Sequence, residues 1–425
     1  MLLIVLARLG LGINIPVILL LAISIVPALF GSPSQLLAMA ISFIPLATTF
    51  QYKYALLLYL IIGFIRFRRL ISISKVVPII LLMMIWELAH GFDASFSLTE
   101  YLRSFAELLF LGFVTSIKWK DIDYKLIART LAAATIGVSL IIIYIQINSG
   151  LGSLMDMLSQ GAAEYRFGQD TMGDEGSSYN LNFNANQLGF ICNMSIVSLL
   201  MLIARKEHST LDIVMLCALL FFGMLTLSRT FVVVASFLFV SFVFLAPDAA
   251  KQRSKNILLL LVVVPIFLLT VFEFAPSILE NFVARNDTDD ITNGRAGLMS
   301  FYNDHIFSSF KHCVWGVGLQ DYGDKITNMY GQHILVCHNS IQEAWVIWGF
   351  IGVIMLLLTF LFMTTSSLKW SGKRPFFALV PLLALIFSSM AARIISSGTY
   401  TLALSLVFII MCLNWNNKKE NYAKK

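Results

Sequence analysis

An all-α polytopic membrane protein is the fold class this chain predicts, and three observations predict it. First, 58% of its residues are hydrophobic and only 13% are charged, with a mean hydropathy of +0.82, far outside the range of soluble domains. Second, apolar runs recur along the whole length, interrupted by short charged stretches, as expected when every backbone polar group must be satisfied inside a helix. Third, basic clusters flank those runs in a regular order. They lie at Arg66/Arg68/Arg69/Lys75, Lys118/Lys120/Lys125/Arg129, Arg205/Lys206, Lys251/Arg253/Lys255, Lys369/Lys373/Arg374 and Lys418/Lys419/Lys424/Lys425. All fall on one side when the runs are counted consistently, and the positive-inside rule makes that side cytoplasmic. The net charge of +6 is thus a topology signal, and no nucleic-acid partner is expected.

The predicted spans are 13–30, 36–65, 76–90, 100–117, 127–147, 186–204, 211–228, 230–246, 257–275, 344–364, 376–390 and 401–414. They make about 12 transmembrane helices with both termini cytoplasmic. The segment 36–65 holds Pro45 and the polar patch Gln51-Tyr52-Lys53. If it contains two short helices instead of one, the count is 13 and the N-terminus lies outside; Arg8 favours the single helix. The first run has no small-residue cleavage site and reads as an uncleaved span. The chain therefore divides into N-terminal helices (1–147), a first outer loop (148–185), central helices (186–275), a large outer loop (276–343), and C-terminal helices with a cytoplasmic tail (344–425). No internal repeat at a fixed period appears.

Both outer loops are long enough to hold a site and rich in Gly, Asn, Asp and aromatics. Long loops in compact proteins are usually functional. In the larger one, Gly294 to Lys311 reads as a single helix lying over the membrane, with Leu298, Phe301, Tyr302, His305 and Phe310 on its apolar side. Gly316, Gly318 and Gly323 mark turns. His338 stands where this loop becomes a membrane helix. Ser340 and Glu343 have capping-box spacing and start that helix at about Ser340. The positive end of the helix dipole disfavours imidazolium there, which keeps a neutral nitrogen available as a base; an interfacial capping residue is the plainer alternative.

Arginine outnumbers lysine on the outer side, against the topological charge bias. A guanidinium offers phosphate oxygens a rigid, paired donor fork. Arg103 pairs with Glu107, four residues along one helix. Arg229, in the short outer turn LSRTF, has no acid nearby in sequence. Arg295, in TNGRAGL, stands at a predicted helix start, where free backbone amides add to its charge. Arg285 follows a span exit. Asp287, Asp289 and Asp290 form an acidic run that reads as an exposed turn before it reads as a divalent-ion site, and His305, His312 and His333 lack zinc spacing. No metal and no cofactor are expected. Cys313 and Cys337 share the large outer loop; they read as two unpaired thiols, with a disulfide as the alternative.

The order of motifs carries a family resemblance. NFNANQLG leads into a span, LSR joins two spans, NGRAGLMSFY and WGVGLQDYG follow in the long loop, and HNSIQEAWVIWGFIG closes it. This resembles the bacterial O-antigen polymerase and O-antigen ligase superfamily, the Wzy/WaaL-type membrane glycosyltransferases. The match covers roughly residues 180–365 by motif and the whole chain by span layout. It implies a GT-C-like helical fold in the bacterial inner membrane with the active site facing the periplasm. It also implies a glycan on undecaprenyl diphosphate as donor and acceptor, and a chain-length-regulating membrane protein as a further partner. By the resemblance Arg229 and Arg295 bind the diphosphate and His338 activates the acceptor hydroxyl; Arg285, from its place after a span exit, is a further diphosphate-binding candidate. Arg166, Asn186 and Glu343 are glycan-binding candidates, although a long acidic insertion (Gln169 to Ser178) separates the Arg166 loop from the usual pattern. A diphosphate leaves as a stable anion, so cationic clamps replace a general acid, and one displacement inverts the anomeric carbon. Polymerase is the first reading, ligase the alternative, and a transporter or lipid flippase the second alternative.

Overall fold

The computed structural model describes residues 13, 17–46, 52–91, 97–119, 122–148, 167, 185–246, 295–320, 322–331, 337, 339–371, 379–391 and 401–412. Among them the chain is helical, with no strand; one isolated antiparallel bridge pairs Ile71 with Ile117. The N-terminal helices are α1 (Val17–Phe30), α2 (Pro33–Ser42), α3 (Tyr52–Arg66), α4 (Val76–His90), α5 (Leu98–Ser116) and α6 (Tyr124–Asn148). The central ones are α7 (Ala185–Ala204), α8 (Thr210–Leu225) and α9 (Arg229–Leu245). Then come α10 (Arg295–Phe307), α11 (Phe310–Val314), α12 (Tyr322–Tyr330), α13 (Ser340–Ser371), α14 (Val380–Ala391) and α15 (Thr401–Cys412).

Among the described residues, three helices are long and apolar enough to cross a membrane: Tyr124–Tyr144, Ala185–Ala204 and Ser340–Leu368. Six shorter apolar helices accompany them. Large apolar side chains face outward along α4 (Leu81, Leu82, Ile85, Leu88) and α13 (Ile354, Leu357, Leu358, Leu361). That pattern suits lipid and would be a liability in water.

The centre of the bundle is α7, which packs against α6, α8 and α9. Lipid gives apolar side chains no reason to seek one another, so close approach and buried hydroxyls supply the cohesion. Thr135 of α6 and Ser195 of α7 share a hydrogen bond of 2.9 Å. Each hydroxyl also lies 2.9 Å from a carbonyl of its own helix, Leu131 or Ile191, and the one that accepts between the helices donates there. Gly189 and Gly223 leave room for the Phe231 side chain between α7, α8 and α9.

The basic loops meet at one end. Around the Ile71–Ile117 bridge, the Ser72 amide donates to the Ser116 carbonyl and the Lys118 amide to the Leu70 carbonyl, both at 2.8 Å. Lys125 pairs with Glu207 at 3.2 Å. Arg129 grips Asp212 through two bonds of 2.8 Å, and that carboxylate also accepts from the Ser209 amide and hydroxyl.

This end also settles the direction of the first helices. The Arg66 guanidinium, at the end of α3, donates to the Ala28 carbonyl near the end of α1. The Asp123 amide donates to Ser34 at the start of α2. So α1 and α3 both run toward the basic end, and α2 runs away from it. The expected single helix 36–65 is two helices of opposite direction, and α1 starts at the far end. The physical reason lies at Ile44–Leu46, where a 3-10 turn holds Pro45, because proline cannot continue an α-helical ladder.

Candidate functional site

At the end away from the basic loops, α13 begins with one turn built for docking. Its cap is Asn339, whose Oδ1 accepts from the Ile341 and Gln342 amides at 3.0 and 3.2 Å. The helix starts at Ser340 as expected, with Asn339 just before it as the capping residue. Glu343 is fully buried and accepts a short hydrogen bond from the Tyr322 hydroxyl of α12. Gln342 turns sideways and donates to the Met299 carbonyl at 2.7 Å and to Asn303 Oδ1 at 2.8 Å, both on α10. Its Oε1 faces the buried Cys337 thiol at 3.2 Å.

The helix that receives this turn opens with Arg295. Met299 is one helical turn further on, about 6 Å of rise. Residues 337 and 339–343 are thereby fastened to the first turns of the Arg295 helix. Leu298 and Phe301 are half-buried and Tyr302 and His305 buried, as the periodicity predicts. Phe310 departs from the prediction and is 83% exposed. The expected single helix ends at Phe307, and Ser309 caps a new one through its bond from the His312 amide. The change of phase turns Phe310 outward.

Below that first turn α13 is broken. Gly349 has φ 65° and ψ −169° inside an otherwise helical run, a conformation open only to glycine. The break frees three carbonyls, and each finds a donor. The Val317 amide reaches Val346 at 3.0 Å, the Gly318 amide reaches Ile347 at 2.8 Å, and the Trp86 indole reaches Trp348 at 3.0 Å. Gly316 and Gly318 both have positive φ, so the predicted turns exist there. Gly323, by contrast, lies inside α12.

Two polar residues at the end of α4 hold this loop. Glu87 is buried and accepts the Leu319 amide at 2.9 and 3.1 Å and the Trp348 indole at 2.7 Å. His90 places Nδ1 2.9 Å from the Trp86 carbonyl and Nε2 2.9 Å from the Trp315 carbonyl. The sequence shows an acid and a histidine at the end of an apolar run; their partners Trp315, Leu319 and Trp348, 225 to 261 residues away, leave no local signal.

A second cluster surrounds the short turn between α8 and α9. Leu227 there has φ 48°. Ser228 caps α9 by accepting from the Phe231 amide and donates 2.8 Å to Oδ1 of Asn186, the second residue of α7. Arg229 is the first residue of α9. A cation in a first helical turn opposes the dipole, and a bound anion there would reverse that cost. Phe167, between α6 and α7, is buried and stacks on Phe222 of α8, ring centroids 6.2 Å apart.

Asn186 and Arg229 are thus brought together through Ser228, while Glu343 belongs to the α10–α12–α13 junction. Arg295 opens α10, with its side chain outside the described residues. His338, Arg285 and Arg166 also lie outside them, as do Asp287, Asp289 and Asp290. Cys313 and Cys337 are free thiols. Glu107 is fully buried on α5, and the side chain of Arg103 lies outside the described residues. No family model matches the sequence, and no curated protein is similar to it.

Proposed function

We propose that this chain is a membrane glycosyltransferase that polymerises oligosaccharide repeat units carried on undecaprenyl diphosphate. In this reading it has a GT-C-like fold in the bacterial inner membrane and works at the periplasmic face. One observation carries the reading. The segment on either side of His338 is pinned, through Gln342, to the first turns of the helix that Arg295 opens. The residues that flank the base candidate, Cys337 and Asn339 to Gln342, are joined to the helix that a diphosphate-binding candidate opens, which supports the reading. Arg229 supports the reading from α9, where it too is the first residue of a helix. Guanidinium and free amides then act on the same anion.

In the mechanism, His338 takes the proton from the acceptor hydroxyl, and the hydroxyl oxygen attacks the anomeric carbon. The bond from that carbon to the diphosphate oxygen breaks, the diphosphate leaves with the bonding pair, and Arg229 and Arg295 stabilise its negative charge. The opposite directions of α2 and α3 favour the count of 13 over 12 in this reading. Loops 66–75, 116–124 and 204–209 then face the cytoplasm.

The test is the purified chain in liposomes, given a defined repeat unit on undecaprenyl diphosphate with and without lipid A core. A ladder of products without core supports polymerase. Transfer only when core is present makes the protein a ligase with the same donor chemistry. No product in either case removes the glycosyltransferase reading.

A further inference from the structure

The basic end holds a cavity of about 460 Å³ that the reading above does not use. Ligand pockets fall in the range of roughly 300–1,000 Å³. Three elements wall it: the turn between α3 and α4, the end of α5 with the residues after it, and the last turns of α13. Its polar lining includes Ser72, Lys75, Ser116, Lys118, Thr365 and Ser366, with no acidic residue. The first two walls are joined by the Ile71–Ile117 bridge and its two amide bonds. Lys118 is held in place by donating 3.2 Å to the Arg69 carbonyl. The Lys75 ammonium lies 5.8 Å from the Phe362 ring of α13. The cavity is preformed, positively charged and rich in hydroxyls.

Its surroundings say where a ligand comes from. It sits where α4 begins and α5 ends, among helices whose outer faces carry large apolar side chains. Ile73, on the same turn, is 80% exposed. An apolar tip beside two lysines, at the ends of lipid-facing helices, matches the junction of acyl chain and headgroup.

We propose that this cavity binds the phosphate of an anionic phospholipid headgroup, with Lys75 and Lys118 as the cations and the Ser72 and Ser366 hydroxyls as donors. Free phosphate offers the same chemistry, but the exposed Ile73 beside the lysines favours a lipid.

Native mass spectrometry of the full-length protein in detergent tests this with phosphatidylglycerol, phosphatidylcholine and inorganic phosphate as probes. Wild type should retain phosphatidylglycerol at least about fivefold more than phosphatidylcholine, roughly 1 kcal/mol of preference. The double variant Lys75→Gln/Lys118→Gln should lose the preference. Ser72→Asp, which adds a negative charge at an exposed rim position, should lose it too. Arg68→Gln, on the same loop but outside the lining, should keep it. Equal retention of the two lipids by wild type, or a preference that survives both variants, overturns the proposal. So does displacement of the lipid by millimolar inorganic phosphate, which would make the free anion the ligand.

Discussion

Gly316 and Gly349 meet backbone to backbone where the outer loop crosses the break in α13. A methyl on Gly316 would stand 2.4 Å from the Ile347 carbonyl oxygen and 2.6 Å from the Gly349 amide nitrogen. A methyl on Gly349 would stand 2.1 Å from the Val314 carbonyl oxygen. Both residues also have positive φ. The loop that leads to residues 337 and 339–343 is therefore seated on the helix that follows it.

Gly316→Ala and Gly349→Ala should each destabilise the protein by about 2–5 kcal/mol, the sum of backbone strain and overpacking. Gly297→Ala is the control. Its added methyl meets nothing within 4 Å on helix α10, so it should be neutral or stabilise by up to about 1 kcal/mol. Thermal unfolding in detergent checks the contrast, and equal midpoints for all three would refute the seating.

Glu87→Ala should be more harmful than Trp348→Phe. The first leaves the Leu319 amide and the Trp348 indole without their acceptor, at about 1–3 kcal/mol for each buried group. The second removes a single donor from a carboxylate that keeps the Leu319 bonds. Hydrogen exchange at Leu319 reports the difference directly, and protection there should collapse only in Glu87→Ala.

How much of this was legible beforehand follows from the range of each interaction. Helix positions are set by runs of neighbouring residues, so α4 appears in the structure with its predicted limits, Val76–His90. The docking of Gln342 on α10 joins residues 39 and 43 apart, and the Glu87–Leu319 bond spans 232. No local pattern encodes such pairs. The cap at Asn339 was hidden for a smaller reason: Asn339 and Ser340 are adjacent, and both are good capping residues. The break at Gly349 was hidden because WGFIG reads as ordinary apolar sequence, and its glycine needs a partner loop to explain it.

His305 makes the outer helices sensitive to acid. Burial, and then the His312 ring stacked 4.4 Å away, hold its pKa down at about 4. Its ordinary value is about 6.5. In the unfolded chain it takes up a proton as pH falls below about 6.5, while the folded protein resists until about 4. Stability from this residue is therefore complete above about pH 6.5 and is lost as pH falls toward 4. His305→Gln should flatten the pH dependence of the unfolding midpoint across that window. An unchanged slope would assign the acid sensitivity elsewhere.

Arg229→Lys and Arg295→Lys should both lose most transferase activity, because a point charge cannot reproduce the paired donor fork. Arg103→Lys should be milder if its partner is Glu107. Initial rates on the lipid-linked repeat distinguish them, and three equal losses would remove the case for selective diphosphate binding.

Activity should survive EDTA, since guanidinium groups carry the leaving-group charge in this mechanism. Loss on chelation, restored by magnesium or manganese, would shift that role to Asp287, Asp289 or Asp290.

The central claim is that His338 is the base of a glycosyl transfer, and the rate of repeat-unit extension by purified His338→Ala in liposomes tests it most directly. The account predicts a fall of about 10²–10⁴-fold, with the variant protein inserted and as abundant as wild type. Extension at the wild-type rate would contradict it and leave His338 an interfacial residue at the start of α13.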